Sequence, residues 1–258
     1  MTPWTATLSS IAVVTGVPLA LIAVLAGPGR ALARLLPTLV SFGAGALIGA
    51  AVFHLLPEAW SRHPSVIFVA LSMTGGMVGS FFLERWLHRW QHTRHEAPAE
   101  EQSLGAFNDP AMVAVNFAAD GVHNFVDGAL IASAFMAGEG AGIATAIAML
   151  AHELPRELGT FGVFVHYGTR PARAVWFTVA SGVLAFVGAG LTLTLGETMA
   201  RVAEVFIPFA AGSFLFVGGA VIVSQLKALR TWDLPINQVV AIAAGFGISA
   251  LAVSVGAR

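Results

Sequence analysis

Residues 110–136 read PAMVAVNFAADGVHNFVDGALIASAFM. A helix needs about 20 mostly apolar residues to cross roughly 30 Å of hydrocarbon, and this stretch is long enough. It nevertheless carries Asp120, His123, Asn124 and Asp127. Those four stand at i, i+3, i+4 and i+7, so a helix gathers them on one face. An ionised group at mid-bilayer costs about 2.5–3.5 kcal/mol on the insertion scale. Such a face must turn inward and neutralise something, or be neutralised by its neighbours. The stretch predicts a membrane helix in a bundle with a polar interior.

Composition agrees. Of 258 residues, 57% are apolar and 10% are Asp, Glu, Lys or Arg, against about 45–50% and about 25% in soluble domains. So few charges cannot cover a water-facing surface. With a formal net charge of −1 and no basic block, disorder, nucleic-acid binding and an ordinary cytosolic enzyme are all poor fits. The absence of Cys removes disulfides, thiolate metal sites and Cys nucleophiles together.

Outward from residues 110–136, the same window finds eight spans, at about 5–26, 35–57, 65–83, 110–136, 141–166, 174–195, 203–224 and 236–256. The expectation is an all-α membrane protein, one transmembrane domain over residues 1–258. Only one connection, about 84–109, has polar sequence of its own. Residues 1–10 lack Lys and Arg, so the first span reads as a retained helix rather than a secretory signal. With the N-terminus outside, inner segments hold Arg30, Arg34, Arg85, Arg89, Arg94, Arg170, Arg173, Lys227 and Arg230, and outer ones only Arg62, Arg201 and Arg258. By the positive-inside rule both termini face out. All six Trp (Trp4, Trp60, Trp86, Trp90, Trp176, Trp232) fall near span ends, as an interfacial belt requires. Glycines crowd spans two, six and seven, which suits close helix packing in lipid.

Span five breaks the apolar rule as well, with His152, Glu153, Arg156 and Glu157. His152 with Arg156, and Glu153 with Glu157, are i, i+4 pairs. His123 and Glu153 sit near the middles of spans joined by a short turn around Glu139 and Gly140, so the two polar faces meet at similar depth. Pro155 cannot donate to the carbonyl of Ala151, and a freed acceptor at that depth is tolerated where it lines a cavity. Imidazole and carboxylate without thiolate suit borderline divalent cations, zinc first, then Fe(II), Mn(II), Co(II) or Cd(II). The competing account is a buried ion-pair network centred on Arg156, with no metal.

Span two adds His54 with Glu58 at i+4; spacing leaves open whether His54 is a ligand or an interfacial side chain. The 84–109 connection holds His88, His92 and His95 among Glu84, Glu96, Glu100 and Glu101. It reads as a solvated, partly helical loop or as a cytoplasmic metal site.

These residues resemble the ZIP family of divalent metal-ion transporters. His123-Asn124-Phe125-Val126-Asp127-Gly128 is similar to the family's fourth-helix motif, and His152-Glu153-Leu154-Pro155-Arg156-Glu157-Leu158-Gly159 to its fifth-helix motif. Phe53-His54-Leu55-Leu56-Pro57-Glu58-Ala59 resembles its second helix, and Phe161-Gly162-Val163 followed by His166 the stretch after the fifth-helix motif. The resemblance covers nearly the whole chain. It implies a transport site of His54, His123, Asp127, His152 and Glu153, with Asn124 beside a second metal. Asp120, Arg156, Glu157 and Glu58 would support it. It also implies a homodimer in a bilayer, no organic cofactor, and an elevator-like motion of spans one, four, five and six against two, three, seven and eight. The membrane expected is a bacterial inner membrane. The chain departs from the family at Arg156, where His, Gln or Glu is usual, and in lacking a carboxylate in span six and a Tyr and acid near Phe214. Those departures imply one metal rather than two.

An intramembrane zinc metallohydrolase is the alternative, because His152-Glu153 begins like a zinc-protease motif. That chemistry needs a second His at position 156, where Arg stands.

Overall fold

The computed structural model describes residues 2–26, 30–92, 108–229 and 234–256, and among these residues there are eight helical rods and no strand. They are α1 (Pro3–Leu25), α2, α3 (Val66–His92), α4 (Pro110–Ala137), α5 (Glu139–His166), α6 (Pro171–Leu195), α7 (Glu197–Leu229) and α8 (Ile236–Gly256). The second rod is compound: Arg30–Gly49 is α-helical, Ala50–Leu55 is π-helical, and Leu56–Arg62 is α-helical again. Each rod contains one span expected from hydropathy.

Local chemistry sets several ends. Asp109 caps α4, its side chain accepting from Met112 N at 3.0 Å, and Pro110 takes the first turn, where a missing N–H costs nothing. Gly138 alone separates α4 from α5. Gly196 sits between α6 and α7 at φ 53°, a left-handed conformation that glycine adopts without steric cost.

Two boundaries differ from the hydropathy reading. The third span was expected to stop near residue 83, but α3 runs to His92, so the start of the polar connection is helical. Apolar windows end where charges begin; a helix does not, because Glu84, Arg85, His88 and Arg89 are tolerated once outside hydrocarbon. Span two was expected as one uniform helix, and its π-helical stretch was not foreseen. Pro57 accounts for it: its ring has no N–H for the carbonyl of Phe53 and crowds it. The preceding turn widens, so that Leu56 N donates to Ala51 O, five residues back.

Helices α1, α2, α3, α6 and α7 are long and apolar enough to cross a membrane. Their outer faces expose Val24, Ile67, Leu71, Phe82 and Trp176, side chains that suit lipid rather than water. Helices α4 and α5 instead bury their charged faces inside the bundle. This is an all-α integral membrane protein.

Packing is close where glycines allow it. A Cβ on Gly128 of α4 would meet Ala185 O of α6 at 1.8 Å, and one on Gly188 of α6 would meet Phe125 O of α4 at 2.0 Å. At the crossing of α2 and α5, a Cβ on either Gly43 or Gly159 would meet the other's Cα at 2.4 Å. One end of the bundle is tied by polar contacts: Asp109 N donates to Tyr167 O at 3.2 Å, Gln225 Nε2 to Pro37 O at 3.4 Å, and His166 Nε2 lies 2.8 Å from Ser224 Oγ. The starts of α2 and α4 and the ends of α5 and α7 therefore share that face. An even number of alternating rods brings the outer ends of α1 and α8 to the opposite face.

Candidate metal centre

Helices α4 and α5 meet through the faces that the spacing defined. His123 Nε2 lies 3.0 Å from His152 Nε2, 3.1 Å from Asp127 Oδ2 and 3.2 Å from Glu153 Oε1. His152 Nε2 lies 3.3 Å from Glu153 Oε1 and 3.9 Å from Asp127 Oδ2. One donor atom from each of the four residues falls within 4.8 Å of all the others, and all four side chains are buried.

Those separations have a meaning. Zinc bonds of about 2.0–2.1 Å arranged tetrahedrally put neighbouring ligand atoms about 3.3 Å apart. The distances between these donors bracket that edge. Two imidazoles and two carboxylates form a donor set of the right hardness for a borderline divalent ion. Neither oxygen of Asp127 accepts a hydrogen bond. A buried carboxylate without a donor is costly, and a cation among the four donors would supply the missing partner. The residues fit a metal.

Next to this cluster, toward the tied face, lies a second group. Arg156 is fully buried and extends between α5 and α4. Its Nε donates to Glu153 Oε1 at 2.6 Å, and its Nη2 to Glu157 Oε1 at 2.8 Å and to Asn124 Oδ1 at 3.4 Å. It also pairs with Asp120 and with the second oxygen of Glu153. Asn124 in turn donates to Asp120 O at 3.1 Å. Asp120, Asn124 and Glu157 thus bind the guanidinium, while Glu153 faces both groups. The residues named by the two accounts that the sequence left open, metal ligands or an ion-pair network, lie side by side and share Glu153.

His54 enters from α2. Its ring centre is 4.4 Å from that of His152 and 6.4 Å from that of His123, and its buried Nε2 has no hydrogen-bond partner. The π-helical stretch is where His54 sits, and such stretches recur at functional sites. A cavity of about 440 Å³ begins at His54 and His152 and runs past Ser133, Thr145 and Met149 to Glu58 and Arg62. Glu58 pairs with Arg62 at 2.6 Å across one helical turn, so it lines the approach rather than the cluster.

Phe214 of α7 was not singled out as a site residue. Its ring centre is 4.8 Å from that of His123, and the Arg156 guanidinium lies 6.0 Å over it. An apolar residue in an apolar helix carries no sequence signal for such a role.

Of the loop histidines, His88 is brought together with other groups. Its Nε2 lies 3.4 Å from Glu84 Oε1 and 3.3 Å from Asp109 Oδ1. Nearby, burial pushes the Tyr167 phenol up to about 12, and the Asp109 and Glu84 carboxylates push the same way. His92 ends α3, but its side chain is not described, and His95 lies outside the described residues.

The ZIP zinc transporter family model matches residues 2–111 and 92–252. Among individual proteins, zinc transporter YKE4 of Saccharomyces cerevisiae is 26% identical over 249 residues, covering 84% of this chain and 70% of the yeast protein. Zinc transporter ZIP10 of Homo sapiens is 33% identical over 142 residues, 52% of this chain and 17% of the human protein. IAA-alanine resistance protein 1 of Arabidopsis thaliana is 34% identical over 114 residues, 44% of this chain and 24% of the plant protein. The chain thus spans less than a quarter of the length of two of these three relatives. With a family model that matches almost its whole length, this chain belongs to the ZIP zinc transporter family.

Proposed function

We propose that this protein carries a divalent metal cation, zinc above all, inward across a membrane by way of His123, Asp127, His152 and Glu153. The observation that carries the reading is the convergence of four buried donors on tetrahedral spacing, with Asp127 lacking any hydrogen bond. The cavity from Arg62 to His152 supplies the approach, and His54 completes or gates the cluster from α2. Cd(II), Fe(II), Mn(II) and Co(II) suit the same donors.

The four donors all belong to α4 and α5, whereas His54 belongs to α2. This division supports an elevator-like motion of α1, α4, α5 and α6 against α2, α3, α7 and α8. A homodimer in a bacterial inner membrane is part of the proposal. The relatives described above are eukaryotic, so the choice of membrane rests on the short connections.

The guanidinium of Arg156 makes the centre mononuclear. At an effective dielectric near 20, unit charges 4 Å apart interact by about 4 kcal/mol. A second, divalent ion among Asp120, Asn124 and Glu157 would face about twice that repulsion from a group that stays protonated at any accessible pH. The metallohydrolase alternative needs an imidazole where Arg156 is held by three carboxylates.

Flux into liposomes loaded with a zinc-sensitive dye tests the reading. Saturable uptake should vanish in His123→Ala and in His152→Ala; unchanged uptake in either refutes the assignment. Ligation needs neutral imidazole, so metal binding should weaken as the medium is acidified and protons compete for the rings. Zinc titrations at stepped pH would show a falling apparent affinity, and a pH-independent affinity would contradict ligation by these rings.

A further inference from the structure

The geometry points to a second, exchangeable divalent-cation site made by Glu84, His88 and Asp109, which would join the end of α3 to the start of α4. His88 Nε2 stands 3.4 Å from Glu84 Oε1 and 3.3 Å from Asp109 Oδ1. All three donor atoms lie within 4.8 Å of one another. These separations again match the edge of about 3.3 Å between ligands of a tetrahedral zinc ion.

Each donor is held in place by its element. Glu84 and His88 are one turn apart on α3, which puts them on one face. Asp109 is fixed by its capping bond from Met112 N at 3.0 Å. Along α4, Asp109 precedes His123 by fourteen residues, which at about 1.5 Å per residue is roughly 21 Å. The two clusters therefore share no ligand.

The chemistry favours exchange over permanent occupancy. Two carboxylates and a neutral imidazole balance the charge of one divalent ion. Three protein donors leave a coordination position for water, the pattern of open rather than structural zinc sites. The side chains of Glu84, Asp109 and His88 are 18%, 22% and 34% exposed, so water reaches them. Arg85 approaches only the other oxygen of Glu84, at 4.0 Å, and leaves the converging one available. Sequence grouping had put His88 with His92 and His95; the structure pairs it instead with one acid on its own helix and one across the connection.

The test counts zinc ions on the full-length protein in detergent or nanodiscs by calorimetry with equilibrium dialysis. The protein should bind two ions per chain. His123→Ala/His152→Ala should retain one, adding His88→Ala should remove it, and His88→Ala alone should keep one. Asp109→Asn keeps a competent cap, since Asn caps as well as Asp, but loses the charge; it should weaken the retained ion at least tenfold while circular dichroism stays unchanged. A retained ion insensitive to both His88→Ala and Asp109→Asn overturns the proposal. So does the loss of all binding in His123→Ala/His152→Ala with helicity intact, because His88 then forms only ion pairs. An ion count that is unmoved by His123→Ala/His152→Ala but reduced by His88→Ala would count against the mid-membrane reading and leave this one standing.

Discussion

Arg156 shows how much a single residue decides. It is a permanent cation held by Asp120, Glu153 and Glu157, and its Nε shares Glu153 Oε1 with the two imidazoles. Removing one partner of a buried ion pair costs about 3–5 kcal/mol, because it strands the other charge. Arg156→Ala should therefore lower the thermal midpoint clearly, whereas Arg156→His, able to ligate, should lower it less and admit a second ion at mid-depth. Ion counting on a His88→Ala background checks this: one zinc before the Arg156→His change and two after it. A second tightly held mid-membrane ion in the unaltered arginine protein would defeat the idea. At this scale the sequence was informative wherever charge met an apolar span. His123, Asp127, His152 and Glu153 stood out because ionisable groups in an apolar span are costly and need a partner. The burial of Arg156 among carboxylates followed from the same rule. Phe214 and the partners of His88 were illegible, the first because it is apolar among apolar residues, the second because Asp109 reaches His88 only through tertiary structure.

Periodicity reads elements well where a helix is regular and poorly where it is not. The eight rods were legible from apolar windows, and α4 and α5 from the i, i+3, i+4, i+7 placement of their polar residues. The π-helical turn in α2 was not, since a hydropathy window assumes 3.6 residues per turn throughout. Its cause is nonetheless written in the chain as Pro57, three residues beyond His54. Pro57→Ala should restore a donor for the Phe53 carbonyl and relax the turn toward ordinary α-helix. The ring of His54 would then rotate away from its place 4.4 Å from His152. The expected outcome is a folded protein, unchanged in far-ultraviolet dichroism, whose zinc affinity or uptake falls severalfold; equal affinity and uptake would deny His54 any part in the site. The end of α3 was only partly legible for a related reason: the connection read as partly helical, but hydropathy reports where lipid ends, and hydrogen bonding carries the helix on to His92.

Across the whole molecule, the proposed motion requires contacts between α5 and α7 to break. His166 and Ser224 form one, at 2.8 Å, and the chain has no native Cys to interfere with engineered ones. Joining His166→Cys to Ser224→Cys with a short thiol-reactive cross-linker should arrest uptake, and a cleavable linker should restore it on reduction. Uptake that persists through complete cross-linking would argue for a fixed pathway instead. Arg156 has a further consequence at this scale, because it rides on the same helix as two of the proposed ligands. Whatever carries His152 and Glu153 from one side to the other carries that positive charge too, loaded or empty. A unit charge crossing 100 mV exchanges about 2.3 kcal/mol with the field. The guanidinium therefore offsets part of the negative charge of Asp120, Asp127, Glu153 and Glu157 on α4 and α5, and an inside-negative voltage drives the empty form outward less strongly than it would drive those four carboxylates alone. Arg156→Gln should make the rate of metal uptake more sensitive to an imposed potassium-diffusion potential. Arginine in this helix would then set the protein's electrical character as well as its capacity for metal.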